Sequence, residues 1–230
     1  MTEQPAVRES ALLSLGINIA IPAVILMKLS GEEALGPVGG LIVALSFPLT
    51  YGVVDFVRRR AWNIVSILGI VSVVLTGGIG LMHLDPKWIA VKEAAVPGII
   101  GCAVVLSLRT RFPIVRTLLY NDKIIRTSEV DEALARRGNR GAFDRALINA
   151  SWMLAASFFV SAALNFVLAK LIVKSPPGTT AFNEELGRMT ALSYPVIVVP
   201  SMAIMIAALW YLFRSIRQLT DLDLEQILKT

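Results

Sequence analysis

The 230-residue sequence contains one cysteine, Cys102, and one histidine, His83. One cysteine excludes a disulfide framework and a thiolate metal site, and zinc sites or serine–histidine triads lack the residues from which they are built. We therefore predict no metal, no cofactor and no enzymatic activity. Because Cys102 falls inside an apolar segment, we expect a buried, inert thiol.

Charged residues are also scarce. They make up 17% of the sequence, whereas a soluble domain carries about 25%. Hydrophobic residues make up 55% of it, the mean hydropathy is +0.68, and the apolar residues form long unbroken runs. This pattern excludes a soluble globular enzyme and a disordered chain. The net charge of +5 does not indicate nucleic-acid binding, because the cations lie between the apolar runs and not on one continuous patch.

Six apolar runs are long enough to cross a hydrocarbon core of about 30 Å as helices. The sequence therefore predicts an all-α polytopic membrane helical bundle that forms a single transmembrane domain over residues 1–230. The loop 109–147 and the tail 214–230 remain outside the spans. The predicted spans lie near residues 11–27, 38–55, 62–82, 88–108, 148–173 and 189–213.

The distribution of lysine and arginine predicts the orientation of these spans. Sixteen of the 22 basic residues lie in the N-terminus, the second loop, the fourth loop and the C-terminus, whereas four lie in the other loops. Basic residues accumulate on the cytoplasmic side of membrane proteins. We therefore expect both termini in the cytoplasm and three in–out–in hairpins.

Two short cytoplasmic helices are expected outside the spans. Ser128 followed by Asp131 resembles a capping box, and Gly138 is placed as a C-terminal stop. These residues predict an amphipathic helix over 129–137 that lies against the lipid headgroups, where its arginines meet anionic lipid. The tail predicts a second short capped helix over 220–228.

The most informative polar stretch precedes and enters the fourth span. Asp85 suits an N-cap, Pro86 the first helical position and Trp88 the membrane interface. In a helix that starts there, Lys92 and Glu93 lie about 9–11 Å further along. Charges at that depth cost about 2–3 kcal/mol each unless they are paired or hydrated, so both residues are candidates for a functional site. Adjacent helical residues diverge by about 100°, so at least one of the two side chains points into the bundle.

A structural interpretation of these charges stays open. In it, Lys92 reaches up to the headgroups and Glu93 occupies a shallow outer vestibule. The same alternatives apply to Asn165 and Lys170 in the fifth span and to Asn18 in the first, because amides commonly bond a neighbouring helix and a lysine near a helix end can reach the interface. The candidate substrate-binding residues are Lys92, Glu93, Asp85, Asn165, Asn18 and Lys170; no catalytic or metal-binding residue is predicted.

Proline and glycine are placed within or beside the spans. A proline removes a backbone hydrogen bond and can open its helix, as in transporters, although membrane helices also tolerate it for structural reasons. The Gly36-x-x-x-Gly40 spacing predicts close helix packing. The glycines at 77–80 predict the same, since no strand precedes them as a phosphate-binding loop would require. The prolines are Pro22, Pro48, Pro97, Pro195 and Pro200.

Several short segments resemble the bacterial intracellular septation protein A family. They are Thr76-Gly77-Gly78-Ile79-Gly80-Leu81, then Asp85, Trp88 and Lys92, then Pro113-Ile114-Val115-Arg116-Thr117-Leu118-Leu119, and Ala163-Leu164-Asn165. The resemblance implies a multi-pass protein of the bacterial inner membrane with a role in cell division and envelope integrity.

Two functions agree with these features. The first is a transporter, flippase or channel-like protein for a small polar or amphiphilic, lipid-like substrate. The second is a non-transporting scaffold that supports envelope integrity or septation. The expected partners are membrane lipids, a second copy of the chain in a homodimer, and envelope or division proteins; nucleic acid is not expected.

Overall fold

The structure is a computed structural model that describes residues 19–59, 64–110, 116, 120 and 125–227. Within these ranges the chain is helical and contains no β-strand. The predicted all-α class is confirmed for this part of the chain. The α-helices are α1 (Ile21–Lys28), α2 (Gly36–Arg59), α3 (Ile64–Leu81), α4 (Lys87–Ser107), α5 (Thr127–Arg136), α6 (Arg140–Ile172), α7 (Thr180–Ser193), α8 (Val199–Thr220) and α9 (Leu224–Ile227).

Four helical segments of the described chain are long and apolar enough to cross a membrane. Their most apolar stretches are only 17–28% buried inside the protein, so most of their apolar surface faces outward. Apolar surface of this extent is what a bilayer covers. In α3 the apolar helix described over Ile70–Leu81 is shorter. Residues 11–18 of the predicted first span lie outside the described residues. The four segments are Gly36–Val54, Lys87–Ser107, Arg140–Ile172 and Thr180–Thr220.

The last of these segments is interrupted at its prolines. A π-helical turn, Tyr194–Val198, joins α7 to α8 and contains Pro195, while Pro200 lies in the first turn of α8. Proline has no N–H to continue the hydrogen-bond ladder, and a π-turn is one way in which a helix accommodates the loss. Pro48 and Pro97 lie inside α2 and α4, which continue through them.

The chain divides into two compact units. The first comprises Met1–Glu93 and Asn165–Tyr194, and the second comprises Ala94–Leu164 and Pro195–Thr230. In the first unit α1 packs against α2 and α7, and α2 also packs against α3. The predicted polar site belongs to this unit.

Glycines allow the close helix packing of the first unit. A Cβ atom on Gly187 of α7 would lie 2.9 Å from the carbonyl oxygen of Ala23 in α1. On α3, Gly77 and Gly80 face leucine side chains of α2. The expectation that the 77–80 glycines serve helix packing is therefore confirmed for these two residues.

Gly40 and Gly39 of α2 form a matched pair for testing this packing. A Cβ on Gly40 would lie 2.9 Å from the Cα of Ser30, whereas a Cβ on Gly39 would make an ordinary 3.6 Å contact with Leu35. We expect Gly40→Ala to destabilise the protein by about 1–3 kcal/mol through overpacking. Gly39→Ala should stabilise it by up to about 1 kcal/mol, because alanine favours the helix. Thermal unfolding in detergent measures both, and equal stability of the two variants would contradict the packing.

The second unit has its own apolar core, which α5 helps to close. Val130, Ala133 and Leu134 of α5 are buried with residues of α6 and α8 and with Ile227 of α9. Protein therefore covers the apolar face of this helix, and the predicted contact of its arginines with lipid headgroups stays a prediction. The backbone N–H of Arg126 donates to the carbonyl oxygen of Ile227 at 2.8 Å, so the C-terminal segment is tied to the start of α5.

The sequence predicted the carboxyl end of α5 correctly but not its amino end. Gly138 has a φ of +67°, and its N–H and that of Asn139 bond the carbonyl oxygens of Ala135 and Leu134. This is the Schellman arrangement, so the predicted stop is confirmed. The predicted Ser128 cap is wrong, because the N-cap residue is Arg126 and no side chain caps the helix. The predicted tail helix is reduced to the single turn of α9 in the described residues.

Candidate functional site

The start of α4 is fixed by Asp85. The backbone N–H of Lys87 donates to Asp85 Oδ1 at 2.9 Å, and Lys87 Nζ lies 3.0 Å from Asp85 Oδ2. The backbone hydrogen bond contributes most, and together with the Lys87 side chain it holds the pKa of Asp85 below its ordinary value. Asp85 is exposed and acts as the predicted N-cap. It sets where α4 begins and thereby the position of every later residue on that helix.

Lys92 lies on the second turn of α4 and is buried. Its side chain is 7% exposed, and Nζ lies 2.7 Å from Glu93 Oε1, 2.7 Å from Thr76 Oγ1 and 3.1 Å from Ser72 Oγ. An ammonium group has three N–H donors, and three oxygen acceptors surround this one. Lys92 is therefore a buried ion, and its ammonium is held by oxygen atoms inside the protein.

Two hydroxyl groups of α3 hold the ammonium. Ser72 and Thr76 are four residues apart, so both lie on one face of α3. The Thr76 hydroxyl donates its proton to the carbonyl oxygen of Ser72 at 3.0 Å. Because its proton is used in that bond, Thr76 Oγ1 presents its lone pairs to the Lys92 ammonium.

The Glu93 side chain is the accessible part of the cluster. It is 27% exposed, against 7% for Lys92. Helical residues turn by about 100° each, so Glu93 projects about 140° from Trp88 and about 160° from Val91. Those two residues form the exposed apolar face of this part of α4, at 50% and 44% exposure. Glu93 is therefore accessible from the face of α4 opposite its apolar surface.

The other predicted site residues are dispersed. Asp85 pairs with Lys87, as described above. Lys170 is exposed on α6, where its ammonium lies 5.8 Å from the centre of the Phe166 ring. Asn165 is half-buried on the same helix, and Asn18 lies outside the described residues. The structure thus brings together Lys92 and Glu93 from the predicted set.

Cys102 differs from its prediction. It is exposed on α4, so the expectation of a buried thiol is wrong. A helix in lipid turns one apolar face outward, and an apolar sequence does not show which positions lie on that face.

Sequence reasoning missed the hydroxyl groups that complete the site. Ser72 and Thr76 interrupt the apolar sequence of α3 at a spacing of four, and that spacing is a signal that could have found them. A second polar cluster was also missed. Asn183 is 1% exposed, and its Nδ2 donates to Ser30 Oγ at 3.1 Å and to the carbonyl oxygen of Pro37 at 2.6 Å. This cluster links α7 to Ser30, which precedes α2, and to Pro37 in the first turn of α2.

Comparisons with known proteins add no functional assignment. No protein-family model matches the chain, and no curated protein or solved structure does. Among the described residues, no three histidine, cysteine, aspartate or glutamate side chains come together where they could hold a metal ion. The argument about function therefore depends on the Lys92–Glu93 cluster and its surroundings.

Proposed function

We propose that the protein is a small transporter, flippase or channel-like protein of the bacterial inner membrane, with a small polar or amphiphilic substrate. The observation that supports this proposal is the Lys92–Glu93 ion pair within apolar, membrane-length helices. The proposal includes a relationship to the septation protein A family. It also includes membrane lipids as partners of the protein.

The energetics of ion pairs favour a functional role for this pair. Burying two charges costs several kcal/mol of desolvation, and well-packed apolar residues of similar volume are often equally stable or more so. Stability alone therefore gives little reason to place a lysine and a glutamate there. Charged residues within membrane helices are rare and commonly mark substrate or ion pathways, so they are candidates for function by default.

The proposal includes six spans with both termini in the cytoplasm. Glu33 then lies on the periplasmic side and Gly141 on the cytoplasmic side, and both positions suit a labelling test. Glu33 is exposed, and a Cβ on Gly141 meets open space. In a Cys102→Ala background, we expect a membrane-impermeant thiol reagent added to intact cells to label Glu33→Cys but not Gly141→Cys. Labelling of both cysteines from outside would contradict the six-span topology.

The test of function is the double variant Lys92→Met, Glu93→Gln. We expect it to accumulate in the membrane as a folded protein and to fail to complement a strain from which the gene is deleted. The charges that would bind a substrate or ion are removed. Folding is preserved because no lone buried charge remains. Complementation at the wild-type level would overturn the proposal.

A scaffold is the alternative function, and the second unit supports it. Here α5 and the C-terminal segment form an ordered structure beside the ends of the long helices, held in part by an ion pair of 2.7 Å between Arg137 and Asp221. An ordered surface of this kind could bind envelope or division proteins.

In a homodimer, the contact would form through exposed apolar faces, because Gly40, Gly77 and Gly80 already pack within the chain.

A further inference from the structure

Three oxygen atoms converge on one point in the first unit. They are Ser72 Oγ, Thr76 Oγ1 and Glu93 Oε1, and the Lys92 ammonium occupies that point at 2.7–3.1 Å from each. Together the three carry one negative charge. Hydroxyl and carboxylate oxygens are the ligands that hard cations prefer.

From this geometry we infer that the three oxygens form a binding site for a monovalent cation, and that the Lys92 ammonium is its built-in competitor. The inference rests on the proposed transport function and specifies the ion involved, either transported or coupled. One carboxylate balances one positive charge, so Na⁺, K⁺ or a primary ammonium ion would leave the site as neutral as Lys92 leaves it now. A divalent cation would add an unbalanced charge in an apolar environment, which is costly.

The Lys92 side chain has a second possible position, with its ammonium at the membrane interface. Its position is about 40° around α4 from Trp88, whereas Glu93 is about 140° away. Its Cα is five residues from the start of α4 at Lys87, a distance of about 7.5 Å along the axis. A four-carbon lysine stem can cover most of that distance and carry the ammonium to the interface. The site thus has two arrangements: lysine in the oxygen cluster, or lysine at the interface with a cation in its place.

Removal of the competitor provides the main test. In the full-length Lys92→Met protein, we expect cations to bind at least about tenfold more tightly than in the wild type, because a lysine-out state populated at about 10% or less lowers the wild-type affinity by that factor. Lys174→Met is the matched control, since Lys174 is exposed, and it should bind cations as the wild type does. The assay is retention of ²²Na⁺ and ⁸⁶Rb⁺ (for K⁺) by purified protein, with methylammonium as a competitor and N-methyl-D-glucamine as the balancing ion. Unchanged affinity in Lys92→Met would overturn the inference.

Two double variants keep the test decisive if Lys92→Met does not fold. Lys92→Met, Glu93→Gln leaves no lone buried charge and should lose cation binding, and Ser72→Ala, Thr76→Ala should weaken it while leaving the ion pair. Saturable binding to the wild type that survives Lys92→Met, Glu93→Gln unchanged would also overturn the inference. So would retention of Mg²⁺ or of anions in place of monovalent cations.

The inference and the proposed function can fail separately. Loss of complementation in the double variant, with no cation binding in any protein, would leave a transporter whose substrate is not a cation. Cation binding that depends on Glu93, with complementation by the double variant, would leave an ion site without the proposed function.

Discussion

Glu93→Gln is expected to destabilise the protein by about 3–5 kcal/mol, the range for breaking a buried ion pair. The substitution leaves the Lys92 ammonium, which is 7% exposed, without a neutralising charge. The hydroxyl groups of Ser72 and Thr76 still accept hydrogen bonds, but neither carries a charge. The measurement is the free energy of unfolding of purified protein in detergent, by chemical denaturation.

The converse substitution should cost less. Lys92→Met leaves the Glu93 carboxylate, which is 27% exposed and so remains partly solvated, at an expected cost of about 1–3 kcal/mol. The double variant should be the least affected, because no lone charge remains. The two single effects then exceed the double effect, which is the signature of a coupled pair.

An exposed ion pair serves as the matched control for this cycle. Arg136 and Glu132 of α5 are separated by 3.7 Å, with side chains 68% and 70% exposed. Pairs of this kind contribute about 0.3–0.5 kcal/mol. The corresponding single and double substitutions there should therefore be nearly additive. Additive effects at Lys92 and Glu93 as well would contradict the buried pair.

The helices and the charged pair could be predicted from the sequence because both depend on local pattern. Long apolar runs leave few alternatives to helices, and two adjacent charges inside such a run are conspicuous. The partners of Lys92 could not be predicted with the same ease. Ser72 and Thr76 come from another helix, and which face of α3 meets α4 is set by tertiary packing. A single sequence shows the spacing of the two hydroxyl groups but not the lysine that they bind.

The position of α5 shows a second limit. An amphipathic helix with a basic face has the same pattern whether lipid or protein covers its apolar side. Protein covers it here, through the core around Val130 and Leu134. Its carboxyl end was predicted correctly, since a left-handed glycine is a local requirement. Its amino end was not, because Asp131 receives a hydrogen bond from the distant Tyr120 hydroxyl at 2.9 Å instead of serving a cap.

The buried amide of Asn183 is the second polar centre of the first unit. Ser30, which is 1% exposed, accepts from this amide through its hydroxyl and from Thr180 Oγ1 through its carbonyl oxygen at 3.1 Å. The carbonyl oxygen of Pro37 accepts the other bond of the amide. These bonds fasten α7 to the chain on both sides of the turn that leads into α2. A buried polar network of this kind stabilises a structure only while each donor keeps its acceptor.

Asn183→Asp is therefore expected to destabilise the protein by at least about 3 kcal/mol, since it places an unpaired charge in a buried site. A carboxylate oxygen would replace Nδ2 and face the carbonyl oxygen of Pro37, now 2.6 Å from that nitrogen. Asn149→Asp is the matched control, because Asn149 is exposed and its Nδ2 donates to the Tyr211 hydroxyl at 3.0 Å. That change should cost about 1 kcal/mol or less. Thermal unfolding of both variants in the same detergent provides the comparison, and equal stability would show that the amide of Asn183 does not fasten α7.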